Sequence, residues 1–469
     1  MLFKIKPEEK TLFALLKSCG EELGFPTYLV GGYVRDRLLD RISPDIDVVC
    51  VGDGIKLAEK LASKLNPHPH VTVFKRFGTA MLRYKGMEIE FVGARKESYS
   101  PDSRKPSVEN GSLQDDQNRR DFTINAMAVS LNENDYGQIL DPFNGLNDLD
   151  RKILRTPLEP DTTFIDDPLR MMRAIRFSTQ LGFTIEDRTL EAIKRNKHRI
   201  SIVSAERITK ELEKIILTKT PSHGFKLLLD AGLLKLIFPE MVELHGVEVR
   251  NNLGHKDNFY HTLEVLDNVA RVSDEYWLRW AAICHDIAKP ATKRFETSIG
   301  WTFHGHEVVG TAITGRIFRK LKLPLDHKLK YVQKLVLLHL RPIALTNDHV
   351  TDSAVRRLLF DAGDDISDLM ILCEADITSK NEGKVNRYKE NYKLLMEKIK
   401  EVEEKDHLRN WQPPVSGEEI MEMFNLSPSR EVGLLKTALR EAILDGDVPN
   451  EREEALSYLT SKAKEIGIG

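Results

Sequence analysis

Cysteine is scarce. The 469 residues hold four, Cys19, Cys50, Cys284 and Cys373, scattered and with no CxxC pair. That pattern disfavours a zinc ribbon or a secreted disulfide framework and favours a reducing compartment. No run of about 18 apolar residues occurs, so no transmembrane helix is expected. The opening MLFKIKPEEK has no apolar stretch leading to a small-residue cleavage site, so no signal peptide is read there. These absences give an expectation of a cytoplasmic protein with no membrane partner; nothing indicates its oligomeric state. Charge of one sign is also missing. Lys and Arg number 69 against 72 Asp and Glu, a formal net charge of −3, which excludes a uniformly basic coat. Nucleic-acid binding needs only a local patch and survives that exclusion. Repeats and low-complexity tracts are absent. With 41% hydrophobic and 30% charged residues, the balance is that of a globular chain. The length suggests roughly three domains.

The pattern divides near residue 165. Before it, helices are expected at 11–23 and Leu57–Leu65. Strands are expected at Tyr28–Val30, Ile46–Val51, Val71–Phe74, Ala80–Tyr84 and Glu88–Val92. Residues 96–120 are polar and aperiodic and read as a long mobile loop. After 165 the spacing of apolar residues is helical almost to the end, with breaks at Pro342, Pro413 and Pro414. The fold class expected is α+β, a mixed-sheet head followed by helical modules.

The most informative segment is YLVGGYVRDRLLDRISPDIDVVC. Asp45 and Asp47 lie two apart on an expected strand, so their carboxylates share one face while Ile46 and Val48 share the other. Like charges that close call for a cation, and Mg²⁺ favours one or two carboxylates plus phosphate oxygens. Gly31-Gly32 follows a strand and opens a helix, where backbone can approach a phosphate and the helix N-terminus attracts it. Arg35 and Asp36 lie in the first turns, and Arg35 is placed to reach a phosphate. Glu88 and Glu90 alternate on a later strand, and Glu90 is the candidate for a third carboxylate.

At these residues the chain resembles the nucleotidyltransferases, and more narrowly the bacterial (class II) tRNA nucleotidyltransferase and poly(A) polymerase family. The resemblance continues in order through ARKESYS (94–100), RRDFTINAMA (119–128), DPFNGLNDLDRKILR (141–155), DDPLRMMRAIRF (166–177) and SAERITKELEKII (204–216). It implies a catalytic head over 1–155 and a helical neck over 156–245. It also implies a two-metal mechanism in which Asp45 and Asp47 hold Mg²⁺ while an RNA 3′-hydroxyl attacks the α-phosphate of CTP or ATP. Gly31, Gly32, Arg35, Arg120, Asp121, Asp167, Arg170 and Arg173 are then the nucleotide-binding residues, with Arg120 and Asp121 at the ribose and triphosphate. Asp167-Pro168 fits a helix start, and Arg170 three residues on can face the same side. A carboxylate only accepts hydrogen bonds and a guanidinium only donates them. Such a pair suits cytosine and adenine, which set an amino donor beside a ring acceptor, and rejects uracil and guanine. The family often has Glu-Asp where this chain has Asp166-Asp167, so both positions stay acidic.

A second constellation runs from 255 to 376: His261, His285-Asp286, His306, His339 and Asp376, on apparent helices with apolar flanks. Neutral imidazole suits transition metals, and a carboxylate can bridge two ions. The order H…HD…D resembles the HD-domain metal phosphohydrolases, which some bacterial tRNA nucleotidyltransferases carry after the head. The resemblance implies His261, His285, Asp286 and Asp376 as core ligands and His306 and His339 at a second metal; ligands so rich in imidazole favour Ni²⁺, Mn²⁺ or Fe²⁺ over Mg²⁺. His255 and His304 lie close enough to leave the assignment among neighbours open. The HD segment is placed at 246–400 and a helical RNA-holding tail at 401–469. Basic runs at 194–199 and 316–334 are candidate contacts for tRNA phosphates. The leading reading is an enzyme adding C and A nucleotides, CCA or part of it, to tRNA 3′ ends. The alternatives are a poly(A) polymerase and, in another class, an RNA-binding or signalling HD phosphohydrolase with an inactive head.

Overall fold

The structure, a computed structural model, describes residues 2–43, 45–75, 78–100, 103–251, 253–345, 351–378, 382–406 and 412–468. The chain divides into two compact units, Met1–Pro239 and Glu240–Gly469.

In the first unit, β1 (Thr27–Val30), β2 (Asp45–Cys50), β3 (Val71–Phe74), β4 (Thr79–Tyr84) and β5 (Met87–Gly93) lie close to their expected positions. A hairpin follows, β6 (Arg95–Ser100) and β7 (Ser103–Asn110), then β8 (Ala128–Ser130) and β9 (Ile139–Leu140). Seven strands form one sheet in the order β3-β4-β5-β2-β1-β8-β9. β2 and β5 run parallel and the other neighbours antiparallel. Successive side chains of a strand point to opposite faces. Ile46, Val48, Ile89 and Phe91 are therefore buried on one face, while Asp45, Asp47, Glu88 and Glu90 share the other. The helices Pro7–Leu23 and Gly54–Lys64 pack against each other, and the second also packs on β4 and β5. They bury Leu12, Phe13, Leu16, Leu57 and Leu61. The second starts at Asp53, whose carboxylate accepts from the N–H groups of Ile55 and Lys56 at 3.0 and 3.2 Å.

The expectation of a mobile loop over 96–120 is corrected. Backbone pairing joins β6 to β7 from Arg95↔Asn110 onward. The helix Leu113–Asn118 follows, opened by reciprocal hydrogen bonds between Ser112 and Asp115. No hydrophobic period marks this hairpin, because its sequence alternates polar with polar and its order comes from the backbone ladder. Residues 101–102 at its tip lie outside the described residues.

Beyond the sheet, the helix Leu169–Leu181 is buried nearly all round, through Met171, Met172, Ala174, Ile175 and Phe177. The helix Ala205–Ile216 packs on it with Ile208, Leu212 and Ile215 buried. Gly224 lets the helix Pro221–Asp230 come in as well: a Cβ there would stand 2.4 Å from Ile215 Cγ2.

The second unit is helical. Asn258–Val272, Tyr276–Cys284, His306–Lys320, His327–Leu338 and Ile366–Asp376 pack as one bundle. His285-Asp286 does not lie within a helix as expected. His285 caps the C-terminus of Tyr276–Cys284 and Asp286 falls in the turn beyond. The tail helices Gly417–Met423, Arg430–Asp445 and Arg452–Glu465 close on a small core of their own, with Ile420, Leu435, Leu439 and Leu459 fully buried. Arg357 ties the second of them to the helix Asp352–Ala362 by reaching both oxygens of Asp445 at 2.9 Å. Among the described residues no helix is long and apolar enough to cross a membrane.

Phe91 sits fully buried on β5, whereas Phe74 on the edge strand β3 is 44% exposed. Phe91→Ala is expected to lower the unfolding free energy of the first unit by about 3–5 kcal/mol. Phe74→Ala should lower it by less than about 1 kcal/mol. Denaturant titration of both variants checks the contrast.

Candidate active sites

The head site begins at the end of β1. Gly31 turns the chain into the helix Gly31–Leu38 with φ +71°. A Cβ at this position would stand 2.6 Å from Asp47 Oδ2 and 3.0 Å from Arg120 Nη1. The missing side chain is thus what lets the helix start, the β2 carboxylate and the Arg120 guanidinium meet. Burial raises the Asp47 carboxyl; Arg120 and the Gly32 N–H draw it back down, and Asp45 raises it again. Asp47 pairs in register with Glu90, and Asp45 with Glu88. Glu88 is taken by Arg83 Nε at 2.8 Å. Glu90 is raised by loss of hydration and then by Asp47, Glu88 and Asp45. Of the two alternating acids, Glu90 is therefore the one that faces the aspartates with no arginine partner among the described residues. Hard oxygen donors crowded enough to raise one another, beside a cradle that a Cβ would fill, fit Mg²⁺.

The arginines are braced rather than free. Arg35, expected to reach a phosphate, is buried. It chelates Asp36 at 2.9 and 2.8 Å, donates to Asn125 Oδ1 at 2.7 Å and lies 4.8 Å over the Phe177 ring. Arg120 spends Nε and Nη2 on Asp116 Oδ2 at 3.0 and 2.8 Å, and its Nη1 donates to the Asn125 carbonyl at 3.4 Å and faces Gly31. Asp116 is wholly buried and holds Arg119 as well. Asp121 accepts from Asn125 Nδ2 and the Phe122 N–H at 2.9 Å each, and from Arg173 Nε at 2.7 Å. Burial works to raise the Asp121 carboxyl, but Arg173 and Asn125 hold it at about 2. Sequence reading missed Asp116, Asn125 and Phe177. For Asp116 the signal was present: an acid three and four residues before Arg119 and Arg120 lies on their face of a helix.

Asp167 and Arg170 do not pair with each other. Asp167 stays extended before Pro168, outside the helix, accepting from the Leu169 N–H at 3.2 Å and lying 3.5 Å from Arg207. Arg170 is buried and donates to the carbonyls of Thr163 and Arg119. Pro168 is the cause, because it leaves the preceding residue outside the helix while Arg170 is already within it.

In the second unit the six expected ligands come together. Asp286 is fully buried, with Oδ1 3.3 Å from His306 Nε2 and 3.9 Å from His339 Nε2. Its Oδ2 lies 3.3 Å from His285 Nε2, 3.4 Å from His261 Nε2 and 2.6 Å from Lys289 Nζ. Asp376 reaches His261 Nε2 at 2.8 Å. His285, His306 and His339 each direct Nδ1 to the carbonyl three residues back, Ala282, Phe303 and Val336, at 2.7–2.8 Å. A carbonyl only accepts, so Nδ1 carries the proton and Nε2 turns inward. His306 Nε2 and His339 Nε2 then face each other at 3.3 Å, and His285 Nε2 is buried without a well-formed hydrogen bond. Burial works to discharge His285, but Asp286 holds its imidazolium, to about 10; burial and the His285 charge push His339 down to about 4. Inward-facing lone pairs around a buried carboxylate fit a divalent transition metal. Among the described residues, His261/His285/Asp286 and Asp286/His306/His339 are the groups whose ligand atoms all converge within 4.8 Å. His255 and His304 stand apart. His255 accepts from the Glu248 N–H and packs on Trp301 and Phe303, and His304 is exposed.

Comparison with known proteins follows the same division. Residues 27–155 match the Poly A polymerase head domain family. Residues 182–244 match the family described as "Probable RNA and SrmB- binding site of polymerase A", and 258–381 match the HD domain. The A-adding tRNA nucleotidyltransferase of Deinococcus radiodurans is 32% identical over 364 residues, 75% of this chain and 80% of that one. A CCA-adding enzyme of Lactobacillus helveticus is 39% identical over 217 residues, 45% of this chain and 51% of that one. The solved structure of the Bacillus stearothermophilus CCA-adding enzyme in complex with CTP shares the fold, with TM-score 0.65 and 23% identity over 98% of this chain and 99% of that chain. The chain belongs to the tRNA nucleotidyltransferase and poly(A) polymerase family, with an HD domain following its nucleotidyltransferase head.

The Asp121–Arg173 pair gives a pH test. A carboxyl held below its unfolded value stabilises the fold above that value, and the contribution is lost as pH falls through the folded one. Asp121→Asn should therefore cost about 2 kcal/mol of the ionised form's advantage near neutrality. The gap between wild type and variant should close as pH falls from about 4 to about 2. Denaturation curves taken across that range measure it, and a gap independent of pH would contradict the ion pair.

Proposed function

We propose that this chain adds C and A nucleotides, CCA or part of it, to the 3′ end of tRNA from CTP and ATP. We further propose that its second unit is a metal-dependent phosphohydrolase. The observation that carries the first reading is the meeting of Gly31, Asp47 and Arg120, a passage open only to backbone between a carboxylate and a cation. The relatives named as A-adding and CCA-adding enzymes supply the RNA and the nucleotides.

In the head, Asp45 and Asp47 would hold Mg²⁺, with Glu90 beside them. Mg²⁺ bound there supplies charge stabilisation at the attacking and leaving oxygens of the transfer. Gly31 and Gly32 bring backbone and a helix N-terminus to the triphosphate. Arg120 Nη1 faces the same space, held there by Asp116. Arg35 braces Asn125, which in turn braces Asp121, so these residues set the shape of the ribose side. Asp167 offers its carboxylate and Arg170 its unspent N–H groups to the base edge, and Arg173 positions Asp121. In the second unit His261, His285, Asp286, His306, His339 and Asp376 would hold Ni²⁺, Mn²⁺ or Fe²⁺. An ion bound there supplies Lewis acidity toward a phosphate ester.

Asp45→Ala and Asp47→Ala are each expected to reduce incorporation of labelled CTP and ATP into tRNA transcripts roughly a thousandfold, the scale of losing a preorganised charge-stabilising group. Near-normal incorporation by both would refute the assignment. Products from transcripts ending before, within and after CCA distinguish C and A addition from repeated A addition to any RNA. Asp286→Ala should lose bound transition metal and hydrolysis of 2′,3′-cyclic phosphates while nucleotide addition stays nearly unchanged. Wild type without metal or hydrolysis under added Ni²⁺ or Mn²⁺ would reduce the second unit to a scaffold.

A further inference from the structure

The basic run RIFRKLKLPLDHKLKYVQK (316–334) closes the helix His306–Lys320 and opens the helix His327–Leu338. Neither active centre uses it. It borders a cleft of about 590 Å³ at the N-terminal ends of the helices Tyr276–Cys284, His327–Leu338 and Ile366–Asp376. The same three helices lead to His285, His339 and Asp376, so the cleft and the histidine cluster occupy opposite ends of one bundle. Trp277, Tyr331 and Asp368 each precede one of those residues by eight positions, about 12 Å along a helix. None of the residues lining the cleft is one of the six proposed ligands.

Trp277 and Tyr331 give the cleft two half-buried rings. Trp277 is seated against Phe318, 5.9 Å between ring centres, and Lys328 Nζ lies 5.4 Å from its ring. The Tyr331 hydroxyl donates to Asp368 Oδ2 at 2.7 Å, which fixes the second ring. The other two acids are engaged as well. Asp365 accepts from Lys334 Nζ at 2.6 Å, and Glu275 accepts from the Trp277 N–H at 3.1 Å. Lys330, by contrast, is exposed, and its side chain has no ion pair or hydrogen bond among the described residues. The same holds for Arg319 and Lys322, which follow Phe318 along the chain.

Spent acids and unspent cations select an anion. Two rings beside them select an anion that carries a flat group, because stacking rewards a planar face. The volume falls in the range of ligand pockets, about 300–1,000 Å³, and takes one base with its sugar and phosphate. Arg319 and Lys322 lie outside the cleft, beyond reach of a phosphate held at Lys330 by a single nucleotide. Cations spread in this way suit a chain of phosphates.

We infer that this cleft takes one unpaired nucleotide of an RNA strand, with the base against Trp277 and Tyr331 and its phosphate on Lys328 and Lys330. Arg319 and Lys322 take neighbouring phosphates. The choice of tRNA as that RNA rests on the nucleotide-addition reading; the contact itself depends on neither active centre.

The test uses the full chain and a tRNA transcript that lacks its terminal CCA. Ultraviolet irradiation of the complex should crosslink RNA to the peptides holding Trp277 and Tyr331. A short unstructured RNA in excess should suppress the crosslink, and AMP or CMP at the same concentration should not. Trp277→Ala should weaken tRNA binding about tenfold, the scale of one base–aromatic stack. It should raise KM for tRNA alike and leave kcat unchanged, because the contact is the same before and during transfer. Trp277→Phe keeps a ring and should recover most of that loss, which separates loss of stacking from loss of fold. Lys330→Gln alters an exposed side chain with no partner to lose. It should make the dependence of log affinity on log salt shallower by about 0.7, the share of one single-strand phosphate. Suppression by AMP or CMP equal to that by RNA overturns the RNA assignment in favour of a free nucleotide. Unchanged binding in Trp277→Ala together with an unchanged salt slope in Lys330→Gln overturns the site. Crosslinking at Trp277 and Tyr331 without nucleotide addition leaves this contact standing without the addition reading. Addition with no crosslink in the second unit leaves the addition reading standing and overturns the contact.

Discussion

At Gly31 the backbone leaves a strand and enters a helix with a positive φ, and an acidic side chain occupies the space that any Cβ would need. Asp47 and Arg120 meet at that passage. Asp47 reaches it from the adjacent strand because β1 and β2 pair Val30 with Asp47. Arg120 reaches it because Asp116, sealed from solvent, fixes two of its three nitrogens. Phe177 is central to the arginines around it: Arg35 and, on its own helix Leu169–Leu181, Arg173 and Arg176 all lie within 5.3 Å of its ring. Arg176 is in turn paired with the buried Glu211 at 2.6 Å. Each of the three guanidiniums has a carboxylate partner, Asp36, Asp121 or Glu211, and the aromatic face packs among them, so their geometry is fixed by charge and by cation–π contact together.

The second unit solves the opposite problem. There the charge to be accommodated is a buried carboxylate, Asp286, and imidazoles surround it. Asp286 holds His285 toward its charged form, while burial and the charge on His285 push His339 toward its neutral form, although the two rings lie 5.3 Å apart.

Much of this was legible in the sequence, and the exceptions share a cause. Strand positions and the paired acids on one face follow from periodicity and residue chemistry, which are local; the ligand set of the histidine cluster came from the resemblance to HD-domain proteins. The β6–β7 hairpin was not legible because its ladder is made by backbone atoms that every residue carries. The inward turn of Arg35 was not legible because its partner Asn125 is remote in sequence; the separation of Asp167 from Arg170 was signalled by Pro168, but the partners each found instead, Arg207 and Arg119, are remote. Helical spacing tells which residues can meet, not which partner wins. The choice between Glu88 and Glu90 turned on one neighbour, Arg83, brought alongside by the pairing of β4 with β5.

The three hydrogen bonds from Nδ1 of His285, His306 and His339 to carbonyls three residues back have a consequence for catalysis. An imidazole can relay a proton only if one nitrogen takes it up while the other lets it go. In these rings one nitrogen is committed to the backbone and the other to the centre of the cluster. In the hydrolysis proposed for this unit these three rings would position an ion and exclude solvent, with no nitrogen left over to carry a proton to a departing alkoxide. That proton would come from water, from His261, whose Nδ1 meets side chains rather than a carbonyl, or from Lys289, 2.6 Å from Asp286. The rigidity that suits these three histidines to hold an ion would disqualify them as acids.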